Sequence, residues 1–299
     1  MKQINDRSGL VVSYFGNSVA VEAEDGQVFQ CQLHRNQPLP VVGDRVRWQL
    51  DDNSQTGTIN SIEERTSVLG RGDGKGHMKP LAANVDSIVI VMAPPPIFSE
   101  YLIDRYLIAA ELLNIEPIIV VNKADLLNED DRQTLQTRLK PYQDVPYSVA
   151  LSSVKVQHGL AQLNDFLAKK TVVLVGPSGV GKSSIIMALG NDEDIRIGKV
   201  SPKGAGKHTT TATRLYHMPH GGRLVDSPGV REFNLWPVSK KDVLRGFKEL
   251  NRFTTGCRFR DCQHVVEPGC AVQQAVADGK ISAVRFASYQ EFMKKTSKE

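Results

Sequence analysis

The 299-residue chain has no apolar run that could cross a membrane. Its longest, Ile88 to Ala93 and Ile118 to Val121, fall far short of the ~18 residues a span needs. No hydrophobic region of the kind a secretory signal carries follows Met1 to Arg7, so the expectation is a soluble, cytoplasmic protein without membrane contact. Of only four cysteines, Cys31 stands apart while Cys257, Cys262 and Cys270 crowd together. In a reducing compartment such a cluster reads as a metal site rather than as disulfides. An excess of one charge is also missing: 37 Lys/Arg against 33 Asp/Glu leaves +4, which neither demands nor excludes a nucleic-acid partner. There is no internal repeat. At 40% hydrophobic and 23% charged, the composition excludes wholesale disorder and coiled coil. What remains is an ordinary globular chain too long for one compact core, with a length that suits two domains or three.

Three textures divide it. In residues 1–67, apolar-rich or alternating runs occur at Leu10–Phe15, Val19–Glu24, Val28–Leu33, Val41–Leu50 and Thr56–Ile62, with Asp25-Gly26 as a hairpin turn. Five short strands suit a small OB-type barrel, with an SH3-like barrel as the alternative. Residues 65–80 hold Gly72, Gly74 and Gly76 among basic residues and read as a flexible linker, since no strand–loop–helix context surrounds them. From Asn84, strands (Val85–Met92, Pro117–Val121, Pro146–Leu151, Thr171–Val175, Gly222–Val225) alternate with helical patterns (Glu100–Asn114, Glu129–Lys140, Ser183–Leu189). Such alternation predicts a parallel sheet with both faces covered. From about Trp236 the pattern turns helical and Cys/His-bearing, so the expected domains are 1–67, 68–233 and 234–299.

The middle segment carries the chemistry. Gly176-Pro177-Ser178-Gly179-Val180-Gly181-Lys182-Ser183 fits the phosphate-loop pattern, with a strand leading in and a helix leading out from Ser184. Its glycines let backbone N–H groups close around a β-phosphate at a helix N-terminus. Lys182 is placed to reach the β/γ oxygens and Ser183 to ligate Mg²⁺. Asn122-Lys123-Ala124-Asp125 follows the Ile118–Val121 strand, at the end of a strand where α/β folds bind ligands. Asp125 can accept from guanine N1–H and the 2-amino group; adenine would leave that carboxylate unpaired. The Lys123 stem can cover the ring, and Asn122 can tie this loop to the phosphate loop. Ser152 and Ser153, after the strand ending at Leu151, can offer a backbone N–H to guanine O6. Asp226-Ser-Pro-Gly229 follows the Leu224-Val225 strand, where phosphate-loop enzymes place the carboxylate that holds Mg²⁺; Gly229 can give its N–H to a γ-phosphate.

The order of these motifs is unusual. The base-reading loop (122–125) precedes the phosphate loop (176–183), and Asp226 comes last, so the domain is circularly permuted. The γ-phosphate-sensing loop therefore leads straight into the C-terminal domain. With this order and the terminal Cys/His module, the chain resembles the bacterial circularly permuted GTPases of the RsgA (YjeQ) family, factors for small ribosomal subunit biogenesis, over essentially its whole length. The implied architecture is multidomain: an N-terminal OB-type β-barrel, a central circularly permuted α/β P-loop GTPase domain and a C-terminal mainly helical zinc-binding domain.

Val230 sits where Ras-like enzymes carry a water-orienting Gln, so either another group serves or hydrolysis is slow. The resemblance points to the Gly204–Ala212 stretch as the switch, with His208 implicated in hydrolysis. One of Thr209, Thr210 and Thr211 is expected to ligate Mg²⁺, with Thr210 our choice. It also implies slow intrinsic turnover stimulated by the small subunit, GTP and GDP as ligands, and 16S rRNA as a partner; the chain is expected to be a monomer. Cys257, Cys262, His264 and Cys270 offer four soft or borderline ligands in fourteen residues, a structural Cys₃His zinc set. Their spacing departs from C-x₂-C, and the resemblance strengthens the reading. Charge is uneven: residues 199–261 hold 13 Lys/Arg against 5 Asp/Glu, residues 1–67 hold 6 against 9. The basic stretch is the expected RNA-facing region. Arg35, Arg45, Arg47 and Trp48 are a second candidate patch on the first domain. Ala271–Lys298 reads as one amphipathic helix.

Overall fold

A computed structural model describes residues 6–14, 18–33, 38–51, 56–72, 78–190, 213–219, 221–227 and 237–296. The chain divides into two compact units, Met1–Val89 with Leu163–Phe233, and Ile90–Gln162 with Asn234–Glu299.

The first unit contains the barrel. Strands β1 (Arg7–Tyr14), β2 (Val19–Ala23), β3 (Val28–Leu33), β4 (Arg45–Leu50) and β5 (Thr56–Ile62) run in the order β1-β2-β3-β5-β4, and β4 closes onto β1. All pairings are antiparallel except β3–β5. Closure removes the exposed edges, as in an OB barrel. The Asp25-Gly26 turn forms as expected: Gly26 takes φ +80, and the Asp25 carboxylate accepts from Gln27 N at 2.9 Å. Alternation sends Val11, Val19, Val21, Cys31, Val46, Trp48 and Ile59 inward, all fully buried. Burial pushes the Cys31 thiol up to about 12, as suits a packing residue. Trp48 is the keystone. Its indole N–H donates to Ser8 O at 3.2 Å, and Gly57 leaves it space, since a Cβ there would lie 2.7 Å from the ring.

Trp48 therefore cannot belong to an RNA-facing patch. Period-2 alternation exposes Arg45 and Arg47 and turns Trp48 into the core; Arg47 pairs with Glu63 at 3.1 Å. Arg35 lies outside the described residues. Strand β4 begins at Arg45 rather than Val41, because Val41–Asp44 is a turn. The fully buried Asp44 carboxylate closes it, accepting from Val41 N at 2.7 Å and from Arg65 at 2.7 and 2.8 Å.

The stretch expected to be a flexible linker is instead largely a hairpin. β6 (Val68–Gly72) pairs antiparallel with β7 (Met78–Ala83), shifting register between Leu69 and Gly70. Residues 73–77 lie outside the described set. The buried apolar set Leu69, Ala82 and Ala83 outweighs the glycines, and Ala83 N donates to Val42 O at 2.9 Å. Further along, β11 (Thr171–Val175) and β13 (Arg223–Asp226) pair in parallel, and the short β12 (Arg214–His217) pairs antiparallel with β13 and, at Ser13↔Arg214, with β1.

The boundary between the units falls within β8 (Ser87–Met92), every residue of which is buried. In the second unit β9 (Glu116–Val121) and β10 (Ser148–Leu151) are parallel, in register from Ile118↔Ser148 to Val121↔Leu151. Helix α1 (Glu100–Leu113) is capped by Ser99, and Asn114 ends it in the left-handed region. Helix α2 (Glu129–Gln143) is capped by Asn128, with three acidic residues in its first turn. Helices α3 (Ala161–Leu167) and α4 (Lys182–Leu189) follow in sequence. The C-terminal region comprises α5 (Lys240–Gly246), α6 (Lys248–Asn251), α7 (Ala271–Ala277) and α8 (Ala283–Thr296). The single helix expected over 271–298 is broken, with Gly279 at φ +71 and Ile281 turned into the core. Val243, Phe247, Leu250, Val272, Tyr289 and Phe292 form that core together with Ile108 of α1. Gly246 permits the contact, since a Cβ there would lie 2.7 Å from the Ile108 Cα. No helix among the described residues is long and apolar enough to cross a membrane.

Candidate functional site

The phosphate loop grows out of the fully buried β11. Gly176, Gly179 and Gly181 adopt φ +139, +83 and +95, so the loop demands glycine at three positions of its pattern. Gly181 caps α4 and Val180 is buried beneath the turn. The Lys182 ammonium folds back to donate to Gly176 O at 2.6 Å and Pro177 O at 2.7 Å. Ser183 and Ser184 are exposed at the helix start. Within the same unit the parallel pairing Val173↔Val225 carries β13 alongside β11, so Asp226 emerges at the C-terminal end of the next strand. Ser227 behind it is buried.

The Asn122–Asp125 loop is built from two strand ends in the second unit. Asn122 is buried at the end of β9 and its N–H donates to Met92 O at 2.9 Å. Lys123 takes φ +63, then Ala124–Leu126 makes one 3₁₀ turn. The end of β10 clamps this turn: Ala124 N donates to Ser152 O at 3.0 Å, Ser152 Oγ to Asn122 Oδ1 at 3.2 Å, and Ser153 Oγ to Asp125 Oδ1 at 2.6 Å. The Ser153 hydroxyl is the chief cause that holds the Asp125 carboxyl below its usual range, so the group is ionised and oriented. Arg132 of α2 steadies the turn from behind through Ala124 O at 2.9 Å. Beside Lys123 lies a cavity of about 310 Å³ walled by Pro94, Pro95, Pro96 and Leu126.

In the C-terminal region the ligand atoms of Cys257, Cys262, His264 and Cys270 all lie within 4.8 Å of one another. His264 Nδ1 lies 3.3 Å from Cys270 Sγ and 3.5 Å from Cys257 Sγ, and the Cys257 and Cys270 sulfurs are 3.9 Å apart. A tetrahedron with Zn–S bonds of ~2.3 Å has edges of about 3.8 Å, so this Cys₃His set is compatible with zinc. His264 reaches its place through a left-handed backbone at φ +62, and burial lowers its pKa toward the neutral imidazole that a metal needs. Cys270 doubles as the cap of α7.

The RsgA GTPase family model matches residues 62–236. Proteins named small ribosomal subunit biogenesis GTPase RsgA are similar over nearly the whole chain. That of Photorhabdus laumondii is 44% identical, covering 96% of this chain and 84% of its own length; that of Haemophilus influenzae is 41% identical, covering 97% and 85%. The chain belongs to the RsgA GTPase family. Two solved structures have the same fold as this RsgA-family chain. YloQ, described as a circularly permuted GTPase, matches with TM-score 0.78 at 30% identity, covering 100% of this chain and 98% of that one. YjeQ from Thermotoga maritima matches with TM-score 0.81 at 31% identity, covering 98% and 99%.

His208, Thr210, Gly229 and Val230 lie outside the described residues, as do Thr209 and Thr211. Two supporting residues of this RsgA-family chain escaped the sequence reading. Gly159 packs against the loop, where a Cβ would sit 2.2 Å from Ser153 O, and its own carbonyl accepts from Ser153 N at 3.0 Å; Ser152 N donates to Val121 O at 2.9 Å, so both serine N–H groups expected to face guanine O6 are engaged within the fold. Glu267 organises the metal loop by accepting from the backbone N–H groups of Gln263, Val265 and Val266 at 2.9–3.0 Å. Partial burial opposes its charge, yet those bonds win and bring its pKa down to about 2. A Glu three residues after a candidate His ligand was the available signal.

Proposed function

We propose that this chain hydrolyses GTP to GDP and phosphate as a cytoplasmic, monomeric maturation factor of the small ribosomal subunit, touching 16S rRNA. The observation that carries the guanine specificity is the oriented Asp125 carboxylate, held by Ser153 at 2.6 Å. Asp125 reads N1–H and the 2-amino group, Lys123 covers the base, Asn122 and Ala124 shape the loop, and Ser152 and Ser153 back it. The Gly176–Gly181 backbone cradles the phosphates and Lys182 neutralises the β/γ oxygens. Ser183 and Thr210 would hold Mg²⁺, with Asp226 behind, and the ion would supply charge neutralisation at the phosphates. Gly229 senses the γ-phosphate, and His208 serves the water in place of the absent Gln.

Cys257, Cys262, His264 and Cys270 would hold one zinc ion per chain, which would supply a structural cross-link among loops that pack on the C-terminal core. Metal analysis is expected to give about one zinc per chain, and Cys257→Ala/Cys270→Ala to give none, with lower thermal stability of the C-terminal region. Retained stoichiometric zinc in that variant would refute the assignment.

The deciding experiment is GTP turnover alone, with small subunits and with large subunits. Stimulation of tenfold or more is expected with small subunits only, a gain of about 1.4 kcal/mol or more in barrier. Turnover that ignores the subunits would remove the ribosomal part of the proposal, and no GTP turnover under any condition would remove the whole.

A further inference from the structure

Strands β12 and β13 leave their ladder at a specific point. The last paired residues are Arg214↔Asp226, so the next cross-strand position is Thr213 opposite Ser227. There the side chains continue what the backbones stop: Thr213 Oγ1 donates to Ser227 Oγ at 2.9 Å. Ser227 is 3% exposed, so water is a poor substitute partner for its hydroxyl. On the other side, Ser13 of the barrel strand β1, also buried, donates its hydroxyl to Thr213 O at 3.2 Å. The far end of β12 is fastened to the barrel too, with His217 Nε2 at 2.9 Å from both carboxylate oxygens of Glu22.

The position of this hydroxyl pair in the sequence gives it meaning. Thr213 directly follows the Gly204–Ala212 stretch, and Ser227 is the residue between Asp226 and Pro228-Gly229. Resting on the GTPase reading above, we infer that Thr213 and Ser227 are positioning residues that clasp the neighbouring ends of β12 and β13, fixing where the Asp226 carboxylate stands during hydrolysis. A cross-strand Thr–Ser bond contributes little to global stability, so its value lies in geometry. GDP has no γ-phosphate to engage these segments, so the clasp acts on hydrolysis and not on GDP binding.

The test compares Thr213→Val, which keeps the shape and deletes the hydroxyl, with Thr213→Ser, which keeps the hydroxyl. Thr213→Val is expected to lower kcat for GTP roughly 3- to 10-fold with KM and GDP affinity within twofold of the parent, and Thr213→Ser to restore kcat. Equal kcat in the two variants, in a parent that turns over GTP, overturns the inference. A second measurement does not depend on hydrolysis: amide hydrogen exchange at 213–216 and 224–227 is expected to quicken in Thr213→Val and not in Thr213→Ser. A parent without turnover would refute the GTPase reading, while the exchange result would still decide whether the clasp exists; unchanged exchange overturns it.

Discussion

Asp125→Asn is expected to lower GTP affinity by on the order of 10⁴-fold and to make xanthosine triphosphate the preferred nucleotide. The carboxylate is ionised and acceptor-only, and Ser153 fixes its rotation at 2.6 Å. Guanine offers two adjacent donors to such a group. An amide in the same place offers one acceptor and one donor, so one guanine donor meets another donor and the pair is lost at full desolvation cost. Xanthine carries a carbonyl where guanine carries the 2-amino group and so matches the amide. The measurement is competition binding of GTP, XTP and ATP to parent and variant. Unchanged GTP affinity in the variant would show that the base is read elsewhere. Ser153→Ala keeps the carboxylate and removes its orienting bond, so a smaller loss of about tenfold is expected there without any change of base preference.

The contrast between what the sequence revealed and what it concealed follows the range of the interactions. The Gly176–Ser183 and Asn122–Asp125 loops were legible as local structure because each is a continuous run serving one local geometry, the first between a strand and a helix and the second at a strand end. The barrel strands were legible by alternation, and the same alternation, applied residue by residue, would have put Trp48 inside. The β6–β7 hairpin was missed because Gly72, Gly74 and Gly76 drew more weight than the flanking Leu69, Ala82 and Ala83, which are the residues that bury. The four residues of β12 are too few to show a period; their strand state comes from β13 on one side and β1 on the other. Ala271–Lys298 looked continuous because its polar and apolar residues keep a helical spacing across Asp278–Ser282. Only Gly279 marked the break.

No sequence pattern could have shown the buried ion-pair cluster around Arg285 in the second unit. Arg285 of α8 is 1% exposed and bonds Glu249 of α6 through Nε at 2.7 Å and Asp104 of α1 through Nη1. Its guanidinium also lies over the Phe247 ring, 4.4 Å from the centroid. Arg285→Ala is expected to destabilise the C-terminal region by about 3–5 kcal/mol, because two buried carboxylates lose their counter-charge. Burial already raises the Asp104 carboxyl above its ordinary value, with Arg285 pulling the other way. Without Arg285 that rise must grow. A carboxyl whose folded pKa is raised stabilises the fold most below its unfolded pKa and loses that stabilisation as pH rises. The deficit of Arg285→Ala is therefore expected to be smallest near pH ~4 and to widen toward neutrality. Urea unfolding of parent and variant across that range measures it. A deficit under 1 kcal/mol at neutral pH, or one that shrinks as pH rises, would mean that the carboxylates find water or other partners. Arg285→Met with Asp104→Leu and Glu249→Leu removes all three charges together and is expected to recover most of the loss, since an apolar core needs no counter-ion.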